Sequence, residues 1–119
     1  MLENKDFTDL LGISFDKIKC WELVQEVYRR NHVSLPNYDE IPCIGERYKY
    51  TGFAPVKEPS EGDICVYDLL GHGVDHAAVY LGNNMIIHAT VPNGVCIERF
   101  SRYRPRLKGV YRYYGNTRH

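Results

Sequence analysis

The sequence predicts an α+β domain in outline: one N-terminal helix packed on an antiparallel β-sheet of about five strands. Three observations predict the helix-and-sheet arrangement. One stretch with helical periodicity lies near the N-terminus, between Lys17 and Asn31. From Ile64 onward the chain divides into short β-type segments separated by glycine-containing turns. A helix followed by consecutive short strands segregates the two kinds of element, unlike the alternation that builds a parallel sheet. The 119 residues are expected to form a single domain spanning 1–119, with enough chain for one hydrophobic core.

Between Lys17 and Asn31, residues Leu23, Val24, Val27 and Tyr28 form one apolar stripe at helical spacing. Asp16 is expected as the N-cap, and Glu26 with Arg30 as a favourable i,i+4 pair. Cys20 falls on the same stripe, so its thiol faces whatever the helix packs on rather than bulk water. From Pro36 to about Pro59 no period of 2 or 3.6 persists, and Tyr38, Tyr48, Tyr50 and Phe53 are scattered among polar residues. A long surface excursion with one short helix is expected there, and such loops in compact domains are often functional. Pro59-Ser60-Glu61-Gly62-Asp63 reads as a turn. Strands are expected at Ile64–Tyr67, His76–Leu81, Met85–Ala89, Val95–Phe100 and Lys108–Tyr114. Gly71, Gly73, Gly82 and the Pro92-Asn93-Gly94 turn punctuate them.

The bulk composition narrows the function classes. Hydrophobic residues make up 44% and charged residues 25%, a globular balance rather than a disordered one. A formal net charge of +0 argues against a nucleic-acid partner. The charge is unevenly placed: after Glu98 there is no acidic residue, while Arg99, Arg102, Arg104, Arg106, Lys108, Arg112 and Arg118 follow. A solvated basic sheet edge and a contact for an anionic partner both fit this pattern. No apolar run approaches membrane-spanning length, so no membrane partner is expected, and with a polar N-terminus of mixed charge no signal peptide is expected either. Synthesis in the cytoplasm is the expectation. Cys20, Cys43, Cys65 and Cys96 have no CxxC spacing, and reduced thiols are expected.

Cys20 at a helix start and two histidines on later strands are the parts that a cysteine nucleophile needs. His76 and His88 flank a hairpin whose connection is Gly82-Asn83-Asn84. With a three-residue loop, Leu81 faces Met85 and Ala78 faces His88, so His76, Ala78, Tyr80, Ile86 and His88 share one sheet face. His76 is then a diagonal neighbour of His88, about 7–8 Å away between backbones. A two-residue loop would put the histidines on opposite faces, because a one-residue slip flips a strand. In the favourable register, the helix N-terminus and nearby Lys17 and Lys19 favour a Cys20 thiolate. His76 serves as general base, His88 holds its ring in the useful tautomer, and the Cys20 backbone N–H is an oxyanion donor. On spacing alone, a buried helix cysteine is more often only a small hydrophobe, and strand histidines are often surface or structural residues. A zinc site built from Cys20, His76, His88 and His72 lacks a close ligand pair, and no metal or other cofactor is expected.

The motifs around these residues carry a resemblance. Cys20-Trp21-Glu22-Leu23-Val24-Gln25-Glu26-Val27-Tyr28 with Val33-Ser34-Leu35-Pro36-Asn37-Tyr38 resembles the nucleophile helix of the NlpC-type cell-wall cysteine peptidases. The Cys-Trp pair and the Leu-Pro-x-Tyr that follows are similar to the phage-tail branch in particular. Glu61-Gly62-Asp63-Ile64 resembles that family's strand entry, His76-Ala77-Ala78-Val79-Tyr80-Leu81-Gly82 its histidine strand, and Ile87-His88-Ala89 its third-residue strand. Tyr103 to Arg112 resembles its arginine-rich final strand. The likeness runs from about Ser14 to Tyr114.

It implies a papain-like minimal fold, a Cys-His-His triad of Cys20, His76 and His88, and no cofactor. It also implies hydrolysis of peptidoglycan stem peptides at the D-γ-glutamyl-diaminopimelate bond. A virion tail component acting at the cell wall, with phage tail proteins as further partners, follows from the tail branch. A catalytically degenerate tail-assembly or binding module on the same fold is the alternative, and an amidase or acyltransferase on another substrate is a third class. Lys19 stands where the family usually has Asp, and Glu22 where it often has glycine. The segment from Leu69 to Asp75 runs straight into His76 and is expected to rim the cleft, with His72 and Asp75 binding substrate. Trp21 is expected to form a wall, with core packing as the equal alternative. Tyr80 is expected to pack beneath the site, and Cys43, Cys65 and Cys96 to do no chemistry.

Overall fold

In the computed structural model, which describes residues 2–36 and 52–115, the chain runs from one helix into an antiparallel sheet. The helix α1 spans Cys20–Arg29, and the strands are β1 (Phe53–Val56), β2 (Ile64–Tyr67), β3 (His76–Gly82), β4 (Met85–Thr90), β5 (Gly94–Arg99) and β6 (Leu107–Tyr113). A short helix α2 (Phe100–Tyr103) and a 3-10 turn (Arg104–Arg106) join β5 to β6. The strand order is β1-β6-β2-β3-β4-β5, with antiparallel pairing throughout. The five expected strands are present. The sixth, β1, lies inside the segment expected to be irregular. Its four residues include Pro55 and it pairs along one side with β6, so it carried no alternation to read. Tyr38, Cys43, Tyr48, Tyr50 and the short helix expected near them lie outside the described residues.

Helix α1 starts later than the periodicity suggests. Lys19 is extended (φ −90°, ψ 173°), and the Glu22 carboxylate accepts its backbone N–H at 2.8 Å. The acid at N3 thus satisfies the cap position. Asp16 does not cap: the N–H groups of Lys17 and Ile18 both turn back to the Ser14 carbonyl, a separate turn ahead of the helix. At the far end His32 takes a left-handed conformation (φ 67°), and the Val33 N–H returns to the Tyr28 carbonyl at 3.0 Å. Ten residues are fewer than the roughly 12–15 that hold a helix in water. Packing therefore holds it: Leu23, Val24, Val27 and Tyr28 are almost wholly buried against one sheet face built from Ile64, Val66, Ala77, Val79, Ile87 and Ala89. Each such aliphatic side chain contributes about 1.5–3 kcal/mol on burial. The Tyr28 hydroxyl also donates to the Gly62 carbonyl at 2.5 Å, tying the helix to the turn before β2.

That turn is held from the other side. Asp63 is buried, and its carboxylate accepts the Ser60 N–H at 2.7 Å and two N–H groups of Arg112 on β6 at 3.1 and 3.0 Å. The opposite face of the sheet carries a second apolar cluster of Cys65, Tyr67, Ala78, Ile86, Phe100 and Val110.

The hairpin β3–β4 sets the positions of the histidines. Tyr80 pairs with Ile86 and Val79 with Ile87, the register expected for a three-residue loop. The turn itself is different. Asn83 and Asn84 have positive φ (52° and 62°), Gly82 pairs with Met85, and Leu81 is an extra residue on β3. A two-residue turn plus a one-residue bulge gives the same register as a three-residue loop. His76, Ala78, Tyr80, Ile86 and His88 accordingly lie on one face.

The N-terminal segment closes the β5 side of the sheet. Gly12 N–H bonds the Val95 carbonyl and Val95 N–H the Ile13 carbonyl, each at 2.9 Å. Gly94 makes this approach possible: its φ is +66°, and a Cβ there would collide with the Ile13 carbonyl oxygen. Gly94→Ala is therefore expected to lower unfolding stability by about 2 kcal/mol or more. Urea denaturation of the two proteins measures it, and an unchanged midpoint would contradict the close approach.

Candidate active site

His76 and His88 meet. Their Nε2 and Nδ1 atoms are 2.9 Å apart, the ring centroids 5.1 Å apart, and both side chains are buried. His76 opens β3 opposite Tyr67, and its ring packs near the Tyr67 ring. The line of hydrogen bonds continues past His88. Its Nε2 lies 2.7 Å from Glu98 Oε2, and the same oxygen accepts the Tyr103 hydroxyl at 2.8 Å. Arg102 donates to Glu98 Oε1 at 3.0 Å, and the Cys96 Sγ is 3.6 Å from Oε2. The Tyr103 ring stands edge-on to His88, 5.0 Å between centroids.

Cys20 is the first residue of α1, with the helix lying on the sheet face opposite the histidines. It comes to the same end of β3, where the Ala77 N–H is directed at its sulfur and Asp75 is near enough to act on its charge. The cysteine is only 8% exposed. Burial pushes its thiol above the ordinary range, and the N–H groups of Ala77, Trp21 and Cys20 offset this only partly. The expected influence of Lys17 and Lys19 toward a thiolate is overridden by this desolvation. His76 is pushed down to about 4, first by burial and then by His88, against a smaller opposing pull from Asp75 and Glu98. Burial lowers His88 as well, although its hydrogen bond to Glu98 opposes the shift. At neutral pH both imidazoles are uncharged and the thiol is protonated.

A cleft of about 390 Å³ opens beside His76, its walls including Phe15, Leu70, Asp75, Val91 and Tyr103. Leu70 and Val91 are 74% and 77% exposed, so the rim is apolar. Asp75 lines the cleft as expected of a rim residue, while its two oxygens accept the backbone N–H groups of Leu69 and Leu70 at 2.9 Å each and so hold the loop. His72 is exposed in the same loop, between Gly71 and Gly73, whose N–H groups bond the Asp68 carboxylate. Trp21 does not form a free wall. It is buried in the main core, and its indole N–H donates to the Pro36 carbonyl at 3.0 Å. The departure at position 19 has a local partner: the Lys19 ammonium sits 5.4 Å from the centre of the Phe15 ring. Tyr80 packs edge-on against Phe100 on the histidine face, as expected of a residue beneath the site.

Among the described residues, His88, Cys96 and Glu98 place one ligand-type atom each within 4.8 Å of one another. Imidazole, thiolate and carboxylate are zinc-type donors. Here they already bond to each other, and the carboxylate is shared with Tyr103 and Arg102. The zinc set of Cys20, His76, His88 and His72 is not assembled: His72 stays on the exposed loop.

Glu98 and Tyr103 had no place in the sequence reading. The signal for Glu98 was there, since His88 pairs with Cys96 and Ile86 with Glu98 across β4–β5. Glu98 is thus a diagonal neighbour of His88 on the shared face, in the same relation that links His76 to His88. Cys96, expected as an inert strand residue, points at this carboxylate. Tyr103 reaches it only because α2 turns the chain back after β5, which no local pattern shows.

The comparisons with known proteins agree with this fold. No curated protein sequence matches the chain. Among solved structures, an NlpC/P60 family protein from Bacillus cereus superposes with a TM-score of 0.64 at 23% identity, over 82% of this chain and 32% of the other. A lipoprotein-like NLP/P60 family protein from Staphylococcus aureus gives 0.64 at 25% identity, over 91% and 39%. The NlpC/p60 domain of the peptidoglycan hydrolase SagA gives 0.62 at 16% identity, over 87% and 89%. The chain thus spans less than half the length of the first two and most of the third. Residues 9–112, which hold the helix, the hairpin of histidines and the final strand, match the sequence profile of the NlpC/P60 family, and the chain belongs to that family.

Proposed function

We propose that this chain is a cysteine endopeptidase that hydrolyses peptidoglycan stem peptides, with Cys20 as nucleophile, His76 as general base and His88 as the residue that orients it. The observation that carries the reading is the 2.9 Å hydrogen bond between the two histidines at the end of β3, where α1 delivers Cys20. With His76 Nε2 engaged by His88, Nδ1 is the nitrogen left to take the thiol proton. Apo hydrogen bonds of this kind tighten in the substrate complex. Sγ then attacks the scissile carbonyl carbon, and its proton passes to His76. The Cys20 N–H, at the helix start, stabilises the oxyanion. Collapse of the tetrahedral intermediate breaks the C–N bond, and His76 returns the proton to the departing amine. Water, deprotonated by His76, cleaves the thioester and regenerates the thiol.

The substrate assignment follows the family and the named function of SagA as a peptidoglycan hydrolase. The D-γ-glutamyl-diaminopimelate bond and a tail-associated role at the cell wall, with tail proteins as partners, are the finer parts of the proposal and rest on the sequence resemblance. A degenerate module that kept the fold for assembly or binding is the second reading, favoured by the burial that disfavours the Cys20 thiolate.

Three outcomes are expected. Purified protein cleaves muropeptides, and Cys20→Ala or His76→Ala lowers kcat by about 10³-fold or more, read by chromatography of the fragments. Equal turnover by Cys20→Ala would end the peptidase reading. Second, because His76 stays unprotonated down to about 4, kcat/KM holds from pH 7 to about 5 and falls only below that. An acid limb near 6.5 would show that the site is wetter than its burial implies. Third, unfolding leaves His76 free to bind a proton that the folded state refuses. Stability is then fully present above about pH 6.5 and is lost as pH falls through 6.5 toward 4. Thermal melts across this range check the sign, with His76→Ala flattening the slope.

A further inference from the structure

Glu98 sits at the end of the line of hydrogen bonds that begins at His76. An ionised carboxylate has acceptor sites only. Four donors converge on it: His88 Nε2 at 2.7 Å, the Tyr103 hydroxyl at 2.8 Å, Arg102 at 3.0 Å and the Cys96 thiol at 3.6 Å. The nitrogen of His88 that faces it must therefore carry the hydrogen. A neutral imidazole has one N–H, so His88 Nδ1 is then a bare acceptor. The atom 2.9 Å from that acceptor is His76 Nε2, which must in turn be the donor. The hydrogen of His76 is then on Nε2, and its lone pair is on Nδ1.

We propose that Glu98 is a positioning residue that sets the tautomer of His88 and, through it, the tautomer of His76. The effect on turnover rests on the cysteine-peptidase reading, whereas the ordering of ring protons does not. The local electrostatics suit the role. Burial works against ionising Glu98, but the hydrogen bonds from Tyr103 and His88 outweigh it and hold the carboxyl below its ordinary range. Burial keeps both rings neutral, so each has one proton to place. Glu98 touches no reacting atom and acts across two rings. The oxygen facing His88 also takes the Tyr103 hydroxyl at 2.8 Å, so the last residue of α2 ties the carboxylate in place.

The test reads ring nitrogens directly. Two-bond proton–nitrogen NMR spectra of the ¹⁵N-labelled wild-type protein at pH 7 should show His76 and His88 both as Nε2–H tautomers. Glu98→Ala should shift His76 toward a mixture. It should also lower kcat on muropeptides by roughly 10- to 100-fold with KM little changed. Glu98→Gln keeps an acceptor oxygen and should retain the Nε2–H tautomers and most of kcat. An Nδ1–H tautomer on either wild-type ring overturns the proposal. So does a Glu98→Ala protein with unchanged tautomers, even if its kcat falls, since that loss would be structural. If Glu98→Ala does not fold, the wild-type assignment and Glu98→Gln still decide. Failure of the wild type to turn over muropeptides, or equal turnover by Cys20→Ala, would sink the peptidase reading, and the ring assignment would still test the proton order.

Discussion

The pairing register between β3 and β4 is the constraint on which the rest of this structure depends. A shift of one residue would turn His88 to the helix side of the sheet and separate it from His76. The chain protects the register by two compensating irregularities, a two-residue Asn83-Asn84 turn and the extra residue Leu81. Neither is tolerable alone with the histidines in place. Their sum keeps Ala77, Val79, Ile87 and Ala89 against the helix and gives the other face to His76, His88 and, on the next strand, Glu98. One register thus divides hydrophobic core from polar chain.

That division explains how three polar side chains survive in a domain of this size. Burying an unpaired polar group costs on the order of 1–3 kcal/mol, and more if it is charged. His76 and His88 escape much of that cost by bonding to each other and staying neutral, and the single charge at the end of the line lies where Arg102 and the half-exposed edge of β5 can reach it. Cys20, the proposed nucleophile, arrives by a separate route. Its helix depends on apolar burial and on the Tyr28 bond to the Gly62 carbonyl, and Cys20 comes to the end of β3 where the Ala77 N–H is directed at its sulfur. The site is therefore assembled from two independently supported halves, one held by packing and the other by hydrogen bonds.

Much of this was legible in the sequence, and the limits are physical. The alternation of β2 to β5, the helix stripe and the shared histidine face follow from periodicities of 2 and 3.6, which side-chain patterns report well. The helix start was misplaced because Asp16 is a good cap by type, whereas the cap is made by Glu22 reaching back to Lys19. Strand β1 is too short, and too dominated by its partner β6, to leave a local pattern. Trp21 could be a wall or core by sequence, and burial settles its position in the core. The charge state of Cys20 was misjudged for a related reason: helix ends and lysines are visible in a sequence, but desolvation is a property of the assembled site.

The Gly12–Ile13 segment beside Val95 has a consequence for the protein in concentrated solution. An antiparallel sheet with a free edge is a template on which other chains can add strands. At one side of this sheet, Gly12 and Ile13 occupy the N–H and carbonyl groups of Val95 that an incoming strand would seek. At the other, β1 offers only four residues, one of them Pro55, which has no N–H to give. Gly12 and Ile13 thus take the Val95 positions of one edge strand, and Pro55 shortens the donor row of the other, at positions that do not line the cleft beside His76.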